Sequence, residues 1–531
     1  MSIRNGIVLF LALSTLALLV GCGSSSPSAQ APPSGGFSNS NLNGTYVFSI
    51  SGTDINSTTS SFFSMVGTLS ADGNGNITGG SVDINDPNIG GVFLAQAVAA
   101  NKYSITKDGR GTGTLATPEG NFGVDFVLTS NGHGLITRYD RLGSGSGTLD
   151  LQGSTAQSSL QSLAFSLSGV DSSLASLLGS VGAVTLDASG NVTTGTQDFN
   201  DGGSSAGIAD LNLVVPGSSV VLTSSTSGTA VLSTSSIFGT LHFDVWVVDS
   251  THLKLIETDA SGPVLSGDAF TQQTTIPAGQ LAFTLSGQDS SGNALVAGGL
   301  ATSDGSGNLT SGIEDFNDGG TAASQPTFTG TCTFTAGRCL LALTGFSNGA
   351  AQSFQFAAYP SSGGIQLLEV DSFGLMQGAA YVQSATSFAA SEGYGLNLSG
   401  ENSGGEVDDI AEFQAGSPSS SPNLTPGILD ENDLGSPLAP VPFSGTYTPD
   451  PNADGRGSIT VPTINTAAGT LNLEYYVVDS STILFIDVDS SQVGLGTFQQ
   501  QSASSVTPGA AQPAVSMIRP VVRAHSAVRR K

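Results

Sequence analysis

The sequence predicts an all-β protein of four tandem repeats, each an antiparallel up-and-down β-barrel of about eight strands. Three observations carry that expectation. An acidic segment returns at near-constant distance: Asp198-Phe199-Asn200-Asp201-Gly202-Gly203 reappears as Asp315-Phe316-Asn317-Asp318-Gly319-Gly320, with weaker copies at Asp83-Ile84-Asn85-Asp86 and Asp430-Glu431-Asn432-Asp433. The steps between the first aspartates are 115, 117 and 115 residues, and a unit of that length can bury a core of its own. Each unit also opens with strict alternation ending in glycine: Tyr46, Phe48, Ile50, Gly52; Leu163, Phe165, Leu167, Gly169; Leu281, Phe283, Leu285, Gly287; Tyr394, Leu396, Leu398, Gly400. Apolar residues at a period of two describe a half-buried strand. Finally, Asp72-Gly73-Asn74-Gly75-Asn76, Asp187-Ala188-Ser189-Gly190-Asn191 and Asp304-Gly305-Ser306-Gly307-Asn308 combine residues that tolerate positive φ and bond their own backbone, as hairpin turns require. A β-sandwich is the alternative. Closure is preferred because a chain with few charges has little else to protect a free β edge.

In chain order, residues 1–21 read as an export signal, with Arg4 before the apolar run Ile7 to Val20, a run too short to span a bilayer comfortably. Leu19-Val20-Gly21-Cys22 resembles the bacterial lipobox. That resemblance implies that Cys22 is acylated, carries diacylglycerol and palmitate-type chains, and becomes the first residue of the mature protein. Residues 22–41 are mostly Ser, Pro, Gly and Ala, the composition of a flexible tether. The repeats then occupy 42–152, 161–272, 279–383 and 391–501, with short linkers that predict a rod. Residues 502–531 form a basic tail, containing Arg519, Arg523, Arg529, Arg530 and Lys531, that reads as a disordered end.

Inside a repeat, a third turn follows the acidic segment: Asp108-Gly109-Arg110-Gly111, Asp454-Gly455-Arg456-Gly457 and, more loosely, Gly337-Arg338. A long hairpin comes next, clearest as Phe243 to Asp249 into Leu253 to Glu257, and an acidic residue ends its second arm at Asp140, Asp259, Asp371 and Asp489. Each unit closes with a glycine and, five residues on, a glutamine: Gly147 to Gln152, Gly267 to Gln272, Gly378 to Gln383, Gly496 to Gln501.

Only 10% of the residues are charged, against about 25% in ordinary domains. The repeats hold all 41 acidic residues and eight of the 14 basic ones, a net of −33. A field of that sign excludes nucleic acid as a partner. Catalysis finds little support, because no histidine is seen to recur between units and a nucleophile needs a positioned base. Cys332 and Cys339, eight residues inclusive and the length of a tight hairpin, are expected to form a disulfide in an exported protein. A zinc site would need further His or Cys ligands; the four histidines are scattered.

The recurring carboxylates are read as structural, fixing the turn after a strand through loop amides. Calcium, which takes hard oxygen ligands, is the alternative for Asp72, Asp83, Asp86, Asp187, Asp198, Asp201, Asp304, Asp315 and Asp318. No other cofactor is expected. Survival of the acidic segment in unit 4, where Ser419 replaces the turn aspartate, speaks for the structural role.

Together the lipobox, tether and the Tyr-x-Phe-x-x-x-Gly, Asp-Gly-x-Gly-Asn and Asp-Phe-Asn-Asp-Gly landmarks resemble bacterial envelope lipoproteins built from repeated β domains, a group that brings no activity and no site residue except Cys22. The resemblance implies a protein held at the cell envelope through its lipid, at the outer membrane on the periplasmic or surface face. It would serve in binding or adhesion towards an envelope polymer or extracellular ligand. The alternative is a carrier of small apolar ligands inside the barrels.

Overall fold

The computed structural model describes residues 36–503 except 57–59, 174–175, 203–208, 235–238, 336, 348–350, 418–419 and 463–468. Cys22, Ser419 and all but the first two residues of the tail lie outside these. The chain forms four all-antiparallel barrels in series. Units 3 and 4 are closed eight-stranded barrels. In unit 1 the strand Ser60–Asp72 pairs with Asn76–Asp86 and completes a closed circuit, while Gly91–Ala97 adds a ninth strand outside it. Unit 2 is a nine-stranded sheet whose ends are joined by isolated bridges, Asn191 to Ser219 and Leu213 to Thr234.

Closure occurs where the opening strand meets the closing strand. Asn43–Ile55 pairs with Gly143–Leu151, Ser162–Val170 with Val264–Thr271, Gly279–Asp289 with Gly374–Val382, and Gly393–Asn402 with Gln492–Gln500. The glycine that recurs in every closing strand is explained here. A Cβ on Gly147, Gly267, Gly378 or Gly496 would lie 1.7, 1.9, 2.1 or 2.1 Å from the carbonyl oxygen of Ser49, Ser166, Thr284 or Asn397, so only glycine lets the two strands approach.

The alternating apolar side chains turn inward and fill the barrels. Phe48, Phe63, Phe122 and Phe126 pack in unit 1, and Phe165, Phe199 and Phe243 in unit 2. Phe283, Phe328, Phe346 and Phe356 fill unit 3; Tyr394, Phe413, Phe485 and Phe498 fill unit 4. Residues 36–41, expected in the tether, belong to this packing: Phe37 is buried in the unit 1 core and Asn39–Asn41 form a short 3-10 turn. Ile276 and Phe388 of the later linkers are likewise buried in the cores of units 3 and 4.

The expected rod is corrected: the four barrels close into a ring. The first three strands of each unit pack on the last strands of the next, and those of unit 4 return to unit 1, where Gly405–Ala415 touches Gly120–Leu128, His133–Asp140 and Gly143–Leu151. Apolar residues sit at all four joints, Phe62 of unit 1 packing against the cluster of Val170 and Val264 in unit 2. Val296 and Leu300 of unit 3 meet Tyr476, Leu484 and Ile486 of unit 4; Val181 and Ala183 meet Tyr359 and Leu368; Ile410 meets Val127 and Leu135. The linkers do not swing free either. Gly153 N–H donates to Val248 O at 2.6 Å, Gln273 to Pro360 at 2.8 Å, Ser384 to Val478 at 2.7 Å and Ser502 to Thr129 at 2.7 Å. Each unit thus lays its outgoing chain on its neighbour, and unit 4 lays its own on unit 1. A repeated head-to-tail contact gives a ring when its rotation closes; here the copies are fused in one chain.

Candidate functional site

The acidic segment lies on the third strand of each barrel, Asn76–Asp86, Val192–Asp201, Leu309–Asp318 and Asn423–Asp433, and it faces the next barrel. Asp198 accepts the guanidinium of Arg338 in unit 3 on both oxygens, at 2.5 and 2.8 Å, and the Tyr359 hydroxyl at 2.6 Å. Asp315 repeats the arrangement with Arg456 and Tyr476 of unit 4, all at 2.7 Å. Asp430 accepts Arg110 of unit 1 at 2.8 Å. Bidentate guanidinium–carboxylate pairs fix orientation as well as distance. For Arg338 and Arg456, burial works against the charge, but the facing carboxylates outweigh it and hold both guanidiniums above their ordinary range.

Unit 2 has no arginine at this place. Trp246 donates its indole N–H to Asp83 at 2.8 Å, and the Ala95 amide supplies a second donor at 2.7 Å. Burial pushes the Asp83 carboxyl up, the two hydrogen bonds opposing.

The asparagine two residues on reaches further into the neighbour. Asn85, Asn200, Asn317 and Asn432 donate to the backbone carbonyls of Glu257, Glu369, Asp487 and Arg138, at 3.3, 2.8, 3.0 and 2.9 Å. Each also donates to the carbonyl at the start of the neighbour's closing strand: Pro263, Gly374, Gln492 and Gly143. The asparagine therefore clasps the last hairpin turn of the next barrel. The closing glutamines act in the same direction, Gln152 on Thr226 and Val247, Gln383 on Asp454 and Val477, and Gln501 on Asp108 and Leu128.

The turn-fixing role expected for Asp83, Asp198, Asp315 and Asp430 is thus corrected, since their partners lie chiefly on the adjacent barrel. Their second aspartates stay at home on the barrel rim. Asp86 bonds the Asn88 amide at 2.8 Å, and burial beside Asp54 pushes it up to about 7; burial beside Asp289 pushes Asp318 up to about 6, and burial beside Asp171 raises Asp201. The turn aspartates do bond their own loops. Asp72 accepts the Asn74 and Asn76 amides, and Asp187 and Asp304 repeat the pattern at 2.7 to 3.1 Å; the side-chain bond from the loop asparagine, then the backbone amides, lower all three carboxyls. Turn and acidic-segment aspartates are not brought together, and no three His, Cys, Asp or Glu side chains among the described residues converge as a metal would need. Cys332 and Cys339 are joined by a disulfide, on facing strands of unit 3.

Ring formation creates an axial cleft of about 100 Å³ that no single barrel owns. Its walls are the opening and closing strands: Ser49, Ser51, Ser146 and Thr148 from unit 1, Ser166, Ser168, Ser266 and Asp268 from unit 2, Thr284, Ser286 and Gln377 from unit 3. Gln366, Tyr381 and Phe270 complete it, and unit 4 contributes only Leu495. Behind Asp268 lies a buried charge network across the joint of units 1 and 2. Lys254 Nζ donates to Asp268 at 3.1 Å and to Thr148 at 2.8 Å and stands 3.6 Å from Asp150. His252 bonds Asp268 and His133 bonds Asp150, each at 2.6 Å. Burial would raise Asp268, but Lys254's charge and the His252 bond outweigh it and bring the carboxyl down to about 2. His133 and His252 open equivalent strands, His133–Asp140 and His252–Glu257, which corrects the reading that no histidine recurs.

Sequence reasoning missed the arginine partners and the cleft. A signal existed for both. Three of the eight basic residues in the repeats stand at the same turn, and the residues between the core positions of each opening strand are Ser49 and Ser51, Ser166 and Ser168, Thr284 and Ser286, Asn397 and Ser399, neutral where an exposed strand would carry charge.

No protein-family model matches the chain, and no curated protein matches it. Among solved structures, an AttH candidate from Nitrosomonas europaea aligns at 8% identity over 44% of this chain and 93% of its own, with a TM-score of 0.19. A double mutant of transferrin-binding protein B, a vaccine antigen from Haemophilus parasuis, aligns at 11% identity over 72% of this chain and 84% of its own, also at 0.19. Overlap that slight carries no inference about this protein.

Proposed function

We propose that the chain is a non-catalytic, lipid-anchored protein of the bacterial envelope, presenting a rigid ring of four barrels whose axial cleft is its binding surface. The observation that carries the binding reading is the contrast between cleft and cores. The apolar voids inside units 3 and 4 measure about 40 and about 20 Å³, smaller than the cleft's about 100 Å³, and this counts against the apolar carrier in those two units. The cleft presents serine and threonine hydroxyls and glutamine amides beside apolar groups, and it is shared by units 1, 2 and 3. Anchoring rests on the Leu19-Val20-Gly21-Cys22 signature; no helix of the described residues is long and apolar enough to cross a membrane.

Two measurements test the proposal. Cys22→Ser should move the protein from the detergent phase to the aqueous phase, and mass spectrometry should find residue 22 acylated in the wild type. An intact thiol at residue 22 of membrane-extracted protein would remove the anchor from the proposal. Retention of purified envelope polymer or extracellular glycan by the immobilised chain should be lost when the cleft is plugged by Ser51→Trp. Undiminished retention would place binding elsewhere.

A further inference from the structure

The chemistry of the axial cleft narrows what it would hold. Most of its polar groups are hydroxyls and amides, which both donate and accept. Its one carboxylate, Asp268, turns Oδ1 to Lys254 and His252 and leaves Oδ2 without a protein hydrogen bond among the described residues. The lysine behind is shared between Asp268 and Asp150 and offsets part of that charge within a strongly acidic protein. An anion would meet the unfavourable field of the whole molecule, and a divalent cation finds no converging ligand set. An apolar ligand would strand the hydroxyls of Ser49 and Ser168.

Size adds a bound. The cleft's volume of about 100 Å³ is on the measure by which one water needs about 10–15 Å³; a single sugar ring, or the end residue of a chain, is of that order. Gln366, 5% exposed, is held by hydrogen bonds to Ser361 and Gly363. Tyr381 and Phe270 line the cleft, the ring of Phe270 being stacked on His252 with centroids 4.4 Å apart. Aromatic side chains, a held amide, a carboxylate oxygen and serine hydroxyls together match a ligand with hydroxyls around its edge and C–H groups on its faces.

From this juxtaposition we infer that the axial cleft is a binding site for a neutral saccharide, taken as a monosaccharide or as the end of a glycan. The inference rests on the cleft being the binding surface and names the class of ligand it takes. Asp268 Oδ2 and the Gln366 amide are the specificity groups, and Tyr381 the platform.

Isothermal calorimetry and saturation-transfer NMR on the full chain test it, with glucose, galactose and N-acetylglucosamine as probes and glucuronate as the anionic counterpart. At least one neutral sugar should saturate the protein, with glucuronate about tenfold weaker or more. Ser168→Trp, which fills the cleft, and Gln366→Leu, which keeps side-chain volume but removes the amide, should each weaken the sugar about tenfold or more while thermal unfolding stays as in wild type. If Ser168→Trp fails to fold, Gln366→Leu alone decides. The inference is overturned if no neutral sugar saturates, if glucuronate binds as tightly as its neutral counterpart, or if folded variants bind like wild type. Should sugars fail while Ser51→Trp still abolishes polymer retention, the class of ligand is wrong and the cleft remains the binding surface. If both fail, the cleft reading falls as well.

Discussion

The joint between units 1 and 2 and the joint between units 3 and 4 use the same acidic segment against different partners. At the second, Asp315 is clasped by the two-pronged guanidinium of Arg456 and by Tyr476, beside the nine-residue apolar cluster that includes Val296, Leu484 and Ile486. At the first, Asp83 meets only neutral donors, Trp246 and its own Ala95 amide. Yet the asparagine two residues after each aspartate finds the same two backbone carbonyls, with glutamate at 257, aspartate at 487 and arginine at 138, and at the first joint Asn85 also donates to the Glu257 carboxyl at 3.0 Å. The difference separates two tasks. The asparagine reads backbone and sets how one barrel sits on the next; the aspartate is a buried acceptor that needs a donor, charged or neutral.

The largest effect should come from breaking the charged joint. Asp315→Ala takes both carboxylate oxygens from the Arg456 guanidinium and the acceptor from Tyr476, leaving the arginine with Asp450 and Glu474; loss of one partner from a buried pair costs up to about 3–5 kcal/mol, to be measured by urea unfolding together with loss of protection at the joint of units 3 and 4 in hydrogen exchange. An unchanged midpoint would show that the pair is not needed.

The same substitution at the neutral joint, Asp83→Ala, strands only an indole N–H and an amide, and should cost about 1–3 kcal/mol. Equal losses at both sites would refute the distinction between charged and neutral joints.

The asparagine joints also predict a pH dependence. Burial, with Asp259 close by, pushes Glu257 up to about 9 from an ordinary 4.5, and burial raises Glu369 and Asp487 at the equivalent places. Between the ordinary value and the raised one, the folded protein binds protons that the unfolded chain has lost, so stability falls as pH rises through that window. Glu257→Gln should flatten the fall, seen as a smaller change in thermal midpoint between mildly acidic and mildly alkaline buffer. A stability that rises with pH throughout would contradict the buried, protonated glutamate.

The smallest effect is expected at the exposed turns. Asp304→Ala removes bonds within one loop and should leave the joints intact, with the melting temperature barely altered and equally so in calcium or chelator. A calcium-dependent rise in the wild type that the substitution abolishes would make these aspartates ligands.

The fold of one barrel was readable because its causes are local: alternation at Tyr46, Phe48 and Ile50 places side chains on a face, and Asp-x-x-Gly-Asn turns reverse the chain whatever lies nearby. The ring was not readable, because it depends on the angle at which one barrel meets the next, and that angle is written in pairs far apart in sequence, such as Asp198 with Arg338 and Asp430 with Arg110. The recurrence of Asp198 and Asn200 was plain; that they face outward from their barrel was not, since a buried aspartate reads alike whether it satisfies its own loop or a neighbour's guanidinium. The cleft was hidden for a related reason. Ser166 and Ser168 look like ordinary solvent-facing residues until three opening strands converge on one axis.

Closure carries a consequence for the number of repeats. Every barrel offers one face with an acidic strand and another with a hairpin to be clasped, and each joint must turn the chain through about a quarter of a circle for the fourth to meet the first. A chain that lost one copy would end with Asp430 or its equivalent facing solvent, and a chain that gained one would overshoot. Duplication, an easy change for a gene already made of tandem repeats, is therefore penalised here by geometry, and the count of four is as much a structural constraint as any residue in the core.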